Sequence, residues 1–169
     1  MNPSPAIRPA REENVPAVMA LLQRRIDWMD EKGLYQWNKT GYLTCYTPEH
    51  FRRLIREELV FAAWTDGTLT GVMALLARDP RWPNGDDDLA YYVHHLATAP
   101  GCPGLGKEML AYAEDFARQR GKTFLRLDSQ KVNHALSRYY EALGYRPAGE
   151  CVDGAYVGIL REKSLLPST

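Results

Sequence analysis

From Tyr91 to Gly121 an apolar stretch runs into Gly101-Cys102-Pro103-Gly104-Leu105-Gly106 and then into an amphipathic segment that stops at a glycine. The pattern predicts a strand, a tight turn and a helix in immediate succession, and no other stretch constrains the chain as much. Glycines let a backbone turn sharply and approach a ligand closely, while the first turn of the following helix presents N–H groups and the positive end of its dipole to an anion. The segment therefore reads as a cradle for a phosphate group, and what the protein does depends on which phosphate it holds.

With 169 residues, 45% of them apolar, the chain can bury one core and is too short for two ordinary domains, so a single domain over residues 1–169 is expected. Lys and Arg total 21, as do Asp and Glu, so there is no overall positive field of the kind that draws a protein to nucleic acid or to an anionic membrane. No run approaches the roughly 18 apolar residues of a spanning helix. Met1-Asn2-Pro3-Ser4-Pro5 also lacks the basic and apolar regions of a leader peptide, so a cytoplasmic location is expected. Three cysteines at unrelated spacings, Cys45, Cys102 and Cys151, argue against both a disulfide framework and a metal site.

The rest of the chain reads as alternating elements. Ile7, between Pro5 and Pro9, suits a short edge strand at most. Asn14 and Pro16 open a helix carrying Val15, Val18, Leu22, Ile26 and Met29 at helical spacing, and Gly33 ends it. Thr47 and Pro48 open a second helix with Phe51, Leu54 and Ile55 on its apolar face. Two strands follow, joined at Asp66-Gly67, a strong hairpin signal. Asp79 to Asp88, with two prolines, Asn84-Gly85 and three consecutive aspartates, reads as an exposed loop. After the glycine turn come a helix with Leu105, Met109, Ala113 and Phe116 on one face, a strand over Phe124 to Asp128, a short helix over Asn133 to Leu143, and a closing hairpin around Asp153-Gly154. On that short helix Tyr139 reads as the core tyrosine and Tyr140 as its neighbour. The order predicts an α/β fold with helices on the faces of a sheet.

Two nucleotide patterns come close and fail. Gly101 to Lys107 fits the first seven positions of a Walker A loop, but the eighth must be a hydroxyl residue that holds magnesium, and Glu108 places an anion there. Pro103 also removes one N–H from the cradle. The dinucleotide pattern needs a third glycine where Met109 stands.

In order and spacing, Val93-His94-His95-Leu96-Ala97-Thr98-Ala99-Pro100, the turn through Gly104-Leu105-Gly106, Leu125-Arg126-Leu127-Asp128, Asn133 and Tyr139-Tyr140-Glu141-Ala142-Leu143-Gly144-Tyr145 resemble the conserved half of the GNAT superfamily of N-acetyltransferases. The resemblance covers residues 89–145. It implies a mixed, mostly antiparallel central sheet flanked by helices, with a splayed strand pair for acyl-CoA, and an acetyl-CoA-dependent enzyme that transfers the acetyl group directly to a primary amine of a small molecule. No metal, nucleic acid or membrane enters that reading. A homodimer is expected by analogy, with the closing hairpin as its contact.

The resemblance also implies roles. Leu96, Ala97 and Thr98 would hold the pantetheine arm through main-chain groups, and Gly104, Leu105, Gly106 and Lys107 the pyrophosphate. Asn133 matches a residue that contacts the cofactor arm, although an asparagine there also makes a plain helix N-cap. Tyr140 stands where the family keeps the tyrosine that protonates the departing thiolate. For the base that relieves the amine of its proton, His94 is favoured, Tyr92 on the same face comes next and His95 last, since strict alternation puts His94 and His95 on opposite faces. Trp28, Tyr35, Trp37 and Tyr42 lie where the family roofs its acceptor, and Asp86-Asp87-Asp88 would attract a cationic one or simply be solvated. One departure stands out: Gly101 replaces the usual Gln or Arg, in a turn about two residues shorter after Pro100, which removes one side-chain contact to phosphate. Such a loss leaves room for the alternative of a non-catalytic acyl-CoA-binding or sensing module.

Overall fold

The computed structural model describes residues 4–57 and 59–167. Of the amino-terminal segment read above for a leader, Met1 to Pro3 lie outside the described residues. Seven strands are hydrogen-bonded in the order β1-β2-β3-β4-β5-β7-β6. They are β1 Ala6–Pro9, β2 Val60–Thr65, β3 Thr68–Leu76, β4 Ala90–Thr98, β5 Phe124–Gln130, β6 Arg146–Asp153 and β7 Tyr156–Ser164. The helices are α1 Val15–Glu31, α2 Tyr42–Cys45, α3 Pro48–Arg56, α4 Leu105–Gln119 and α5 His134–Ala142. Contacts divide the chain into two compact units, one taking in residues through Leu75 with His95–Leu110, the other Leu76–His94 with everything from Ala111 on. On β4 the division falls between His94 and His95.

In the first unit, the proline-flanked β1 is an edge strand paired antiparallel with β2 from Ala6–Trp64 to Pro9–Phe61. The Asp66-Gly67 hairpin forms with both residues at positive φ, the primed turn whose twist suits two antiparallel strands. Seven consecutive residues of β3, Leu69 to Leu75, are buried, so this strand is covered on both faces and shows no alternation in sequence. α1 buries Val15, Val18, Leu21, Leu22 and Met29, and α3 buries Phe51, Leu54 and Ile55 beneath a Thr47 cap whose hydroxyl accepts from the His50 N–H at 3.5 Å. Asn14 precedes α1 without capping it; its side-chain oxygen accepts instead from the Arg11 N–H.

In the second unit, β4 and β5 run parallel in the register Ala90–Phe124, Tyr91–Leu125, Tyr92–Arg126, while β5, β7 and β6 are antiparallel. The loop from Asp79 to Asp88 is exposed at Pro80, Pro83, Asn84, Asp86 and Asp88, as the sequence suggests, but it is anchored from within. Asp79 and Trp82 are buried, and Trp82 packs with Ala90, Tyr92, Cys151 and Leu160. Asp79 N–H donates to the Gly85 carbonyl at 3.0 Å, and any Cβ on Gly85 would stand 1.7 Å from the Asp79 oxygen, so the loop closes on a glycine by necessity. Two of its three consecutive aspartates are paired as well: Asp87 accepts from the buried Arg126 at 3.0 Å, and Asp88 from Lys122 at 2.7 Å. Polar loop composition misleads here because the partners of these carboxylates lie on β5 and before it, far along the chain. Tyr139, expected in the core, is exposed, and none of α5 is fully buried.

Candidate active site

In the first unit, the strand residues Leu96, Ala97 and Thr98 lead within a few residues to the turn. Gly101 and Gly104 both adopt positive φ, +86° and +84°, with open space around each, so the backbone conformation and not crowding calls for glycine. α4 begins at Leu105. The Leu105 N–H turns back onto the Cys102 carbonyl at 3.3 Å, whereas Gly106 and Lys107 lie in the first turn, where a helix offers its N–H groups no carbonyl of its own. Of the four residues assigned to phosphate from the sequence, three place their amides in α4, and one of those amides, that of Leu105, is spent on the turn itself. The fit to an anionic diphosphate rests on the other two, the helix dipole and the exposed Lys107 ammonium.

His95 also belongs to this unit. Its φ of +57° interrupts the extended strand, so the alternation that set His94 against His95 does not hold through this point. The ring sits among Tyr46, Phe51 and His50 at centroid distances of 4.6, 5.0 and 5.1 Å. Its Nδ1 bonds the Tyr42 hydroxyl and its Nε2 lies 3.1 Å from Nε2 of His50, whose Nδ1 lies 3.3 Å from an Arg53 nitrogen. A guanidinium only donates, so with both rings neutral the polarity is set: Arg53 to His50, His50 Nε2–H to His95, His95 Nδ1–H to Tyr42. Burial, with Tyr46 nearby, pushes the Tyr42 phenol well above its ordinary value. The Trp37 ring lies tilted against Tyr42 at a centroid distance of 4.6 Å, while Trp28 carries the Arg25 guanidinium on its face and Tyr35 is exposed. The aromatic residues singled out in this stretch therefore do not form one cluster.

The second unit holds His94, Tyr92, Asn133 and Tyr140. His94 Nε2 lies 2.8 Å from Oδ2 of Asp79, a carboxylate whose side chain is 4% exposed. Burial pushes that carboxyl up, but the His94 hydrogen bond and charge, with the Arg81 N–H, outweigh it and hold Asp79 below the usual carboxylate range. Tyr92 is buried and accepts from Arg126 at 2.7 Å; burial drives its phenol up against the pull of that guanidinium. Asn133 caps α5, its side-chain oxygen accepting from Leu136 N–H at 3.0 Å, so the cap occupies the oxygen and not the amide nitrogen. Tyr140 lies 5.3 Å from Tyr139 and 6.0 Å from Tyr145. Burial first, then the neighbouring Tyr139 and Asp128, pushes its phenol well up, so it carries its proton at neutral pH. Sequence reading missed Asp79 and His50. Asp79 left one local trace, an aspartate two residues before Arg81 whose N–H it accepts; His50 left none, being 45 residues from the histidine it meets.

A strand running into a glycine turn at a helix N-terminus, in a mixed sheet flanked by helices, marks a protein built to bind an anionic phosphate group. The chain belongs to the acetyltransferase (GNAT) family, whose model matches residues 22–145. It is 30% identical to the uncharacterized N-acetyltransferase YesJ of Bacillus subtilis, over 88% of this chain and 86% of that protein. Among solved structures it resembles a GNAT-family acetyltransferase from Listeria monocytogenes, at TM-score 0.79 and 23% identity over 95% of this chain and 94% of that one. It also resembles the PaiA N-acetyltransferase of Thermoplasma acidophilum, determined in complex with coenzyme A, at TM-score 0.76 and 20% identity over 96% and 99%. Among the described residues, no helix is long and apolar enough to cross a membrane, and no group of three or more His, Cys, Asp or Glu is placed to hold a metal ion.

Proposed function

We propose that residues 1–169 act as one catalytic domain that transfers the acetyl group of acetyl-CoA directly to a primary amine of a small molecule in the cytoplasm, where Cys45, Cys102 and Cys151 remain thiols. The observation that carries this reading is the turn: two left-handed glycines delivering β4 to the first amides of α4. Family membership and the coenzyme A bound by the Thermoplasma protein support the choice of phosphate. Acetyl-CoA supplies an acyl group on a thiol that leaves as a thiolate.

The chain's residues have four tasks. Gly104, Gly106 and Lys107 bind the diphosphate, with the backbone of Leu105 shaping the turn. Leu96, Ala97 and Thr98 offer main-chain groups to the arm, with the amide of Asn133. His94 takes a proton from the amine, which at a pKa near 10.4 is otherwise almost wholly protonated and unreactive at neutral pH. Tyr140 returns a proton to sulfur as the carbon–sulfur bond breaks and the carbon–nitrogen bond forms. A second copy is proposed to pack on the β6–β7 hairpin, where Val152 and Val157 are exposed.

Thermal melting with acetyl-CoA, CoA or ATP with magnesium tests the cofactor first: a rise with acetyl-CoA and with CoA and none with ATP is expected. Release of free CoA, read with a thiol reagent across a panel of amines, then tests catalysis. Stabilisation by CoA without release on any amine would leave a binding module and remove the enzyme.

A further inference from the structure

Asp79 is an unusual neighbour for a strand histidine, because a carboxylate so deeply buried is costly unless its oxygens are satisfied. Both are. Oδ1 accepts the Arg81 N–H at 2.9 Å, and Oδ2 faces His94 Nε2 at 2.8 Å. The backbone holding it is closed on itself: Trp82 N–H returns to the Asp79 carbonyl at 3.2 Å, and Gly85 N–H to the Trp82 carbonyl at 3.2 Å. The charge of Asp79 in turn helps to push the Tyr92 phenol and the Cys151 thiol upward. Arg81 is itself anchored by Asp128 and Asp153.

An ionised carboxylate only accepts, so His94 Nε2 must be the donor, and a neutral imidazole then keeps its lone pair on Nδ1. We propose that Asp79 is the positioning residue for acetyl transfer: it fixes His94 in the Nε2–H form, making Nδ1 the atom that receives the amine's proton. The inference rests on the reading of His94 as the base. During transfer the proton passes from the amine nitrogen to Nδ1, the imidazolium is compensated by Asp79, and Asp79 itself keeps its charge. The proton on sulfur comes from Tyr140, so the transfer balances without another reactant.

Asp79→Asn makes the test sharp. The Arg81 N–H can only donate, so the new amide must keep its oxygen there and turn its NH₂ toward His94. Nε2 then has to accept, and the ring hydrogen is driven to Nδ1. Long-range ¹H–¹⁵N spectra of the full-length protein, with His94 assigned by comparison with His94→Gln, are expected to show hydrogen on Nε2 in the wild type and on Nδ1 in Asp79→Asn. Turnover of Asp79→Asn is expected to fall about 10²-fold or more, with KM for acetyl-CoA within a few-fold. A wild-type His94 with its hydrogen on Nδ1 overturns the proposal even if the variant does not fold, and so does an Asp79→Asn variant that keeps both tautomer and kcat. Full turnover in His94→Gln would remove the base and this proposal together, whereas an inactive His94→Gln beside an Nδ1–H spectrum would remove the proposal alone.

Discussion

At the scale of single residues, burial governs the phenols. Tyr42, Tyr140, Tyr145 and Tyr156 are each pushed upward, with burial the largest cause. A group whose pKa is raised on folding contributes stability that is fully present below its unfolded value and is lost as pH rises through the folded one. The protein is therefore expected to lose stability once pH climbs past about 10, as the unfolded chain ionises first. Denaturant melts at pH 8 to 11, with tyrosinate absorbance as a second probe, check this; an unchanged midpoint across that range would contradict it. Tyr140→Phe removes a hydroxyl and little volume, so kcat is expected to drop roughly 10²-fold while KM for acetyl-CoA holds. Equal kcat in that variant takes Tyr140 out of the acid role. Local chemistry was legible at this scale: the Thr47 and Asn133 caps form where the sequence places them, because a cap bonds within three residues. The Asp79–His94 and His50–His95 contacts join residues 15 and 45 apart and leave no pattern for a local reading to find.

At the scale of elements, the turn and the loop make opposite demands. Gly104→Ala meets no obstruction but forces a side chain into left-handed backbone, a cost of about 1–2 kcal/mol that the turn will relieve by shifting. Weaker binding of CoA by calorimetry, with only a modest fall in melting temperature, is the expected outcome; unchanged affinity would detach the turn from the cofactor. The loop from Asp79 to Asp88 is held to β5 through Arg126, 2% exposed, between Asp87 and Glu162, both at 3.0 Å. Asp87→Ala leaves a buried guanidinium with one carboxylate fewer. About 1–3 kcal/mol of stability should go, read in urea melts. The helices and hairpins were legible as elements because period and turn chemistry act within a few residues. The ordered loop was not, since its prolines and aspartates look alike whether they face water or β5.

For the molecule as a whole, acid should act through the carboxylates. Asp79, Asp87 and Asp88 are all held below their ordinary value, Asp79 and Asp87 against the opposing push of burial. Their contribution is present above the unfolded carboxylate range near 4 and is lost as pH falls through the folded values, so melting temperature should decline below about pH 4. At neutral pH, acetyl-CoA at 100 times its Kd should add about 2.7 kcal/mol of stability. The α/β class, the element order and the family were readable from the sequence because they depend on hydrophobic period, glycine turns and a spaced motif running through Tyr145. Tertiary structure decided the rest. The sequence specifies which residues have a positive φ to offer or a carboxylate to spend, but which donor each carboxylate meets, and where His95 breaks the alternation of its strand, is settled only when segments far apart in the chain are packed against one another.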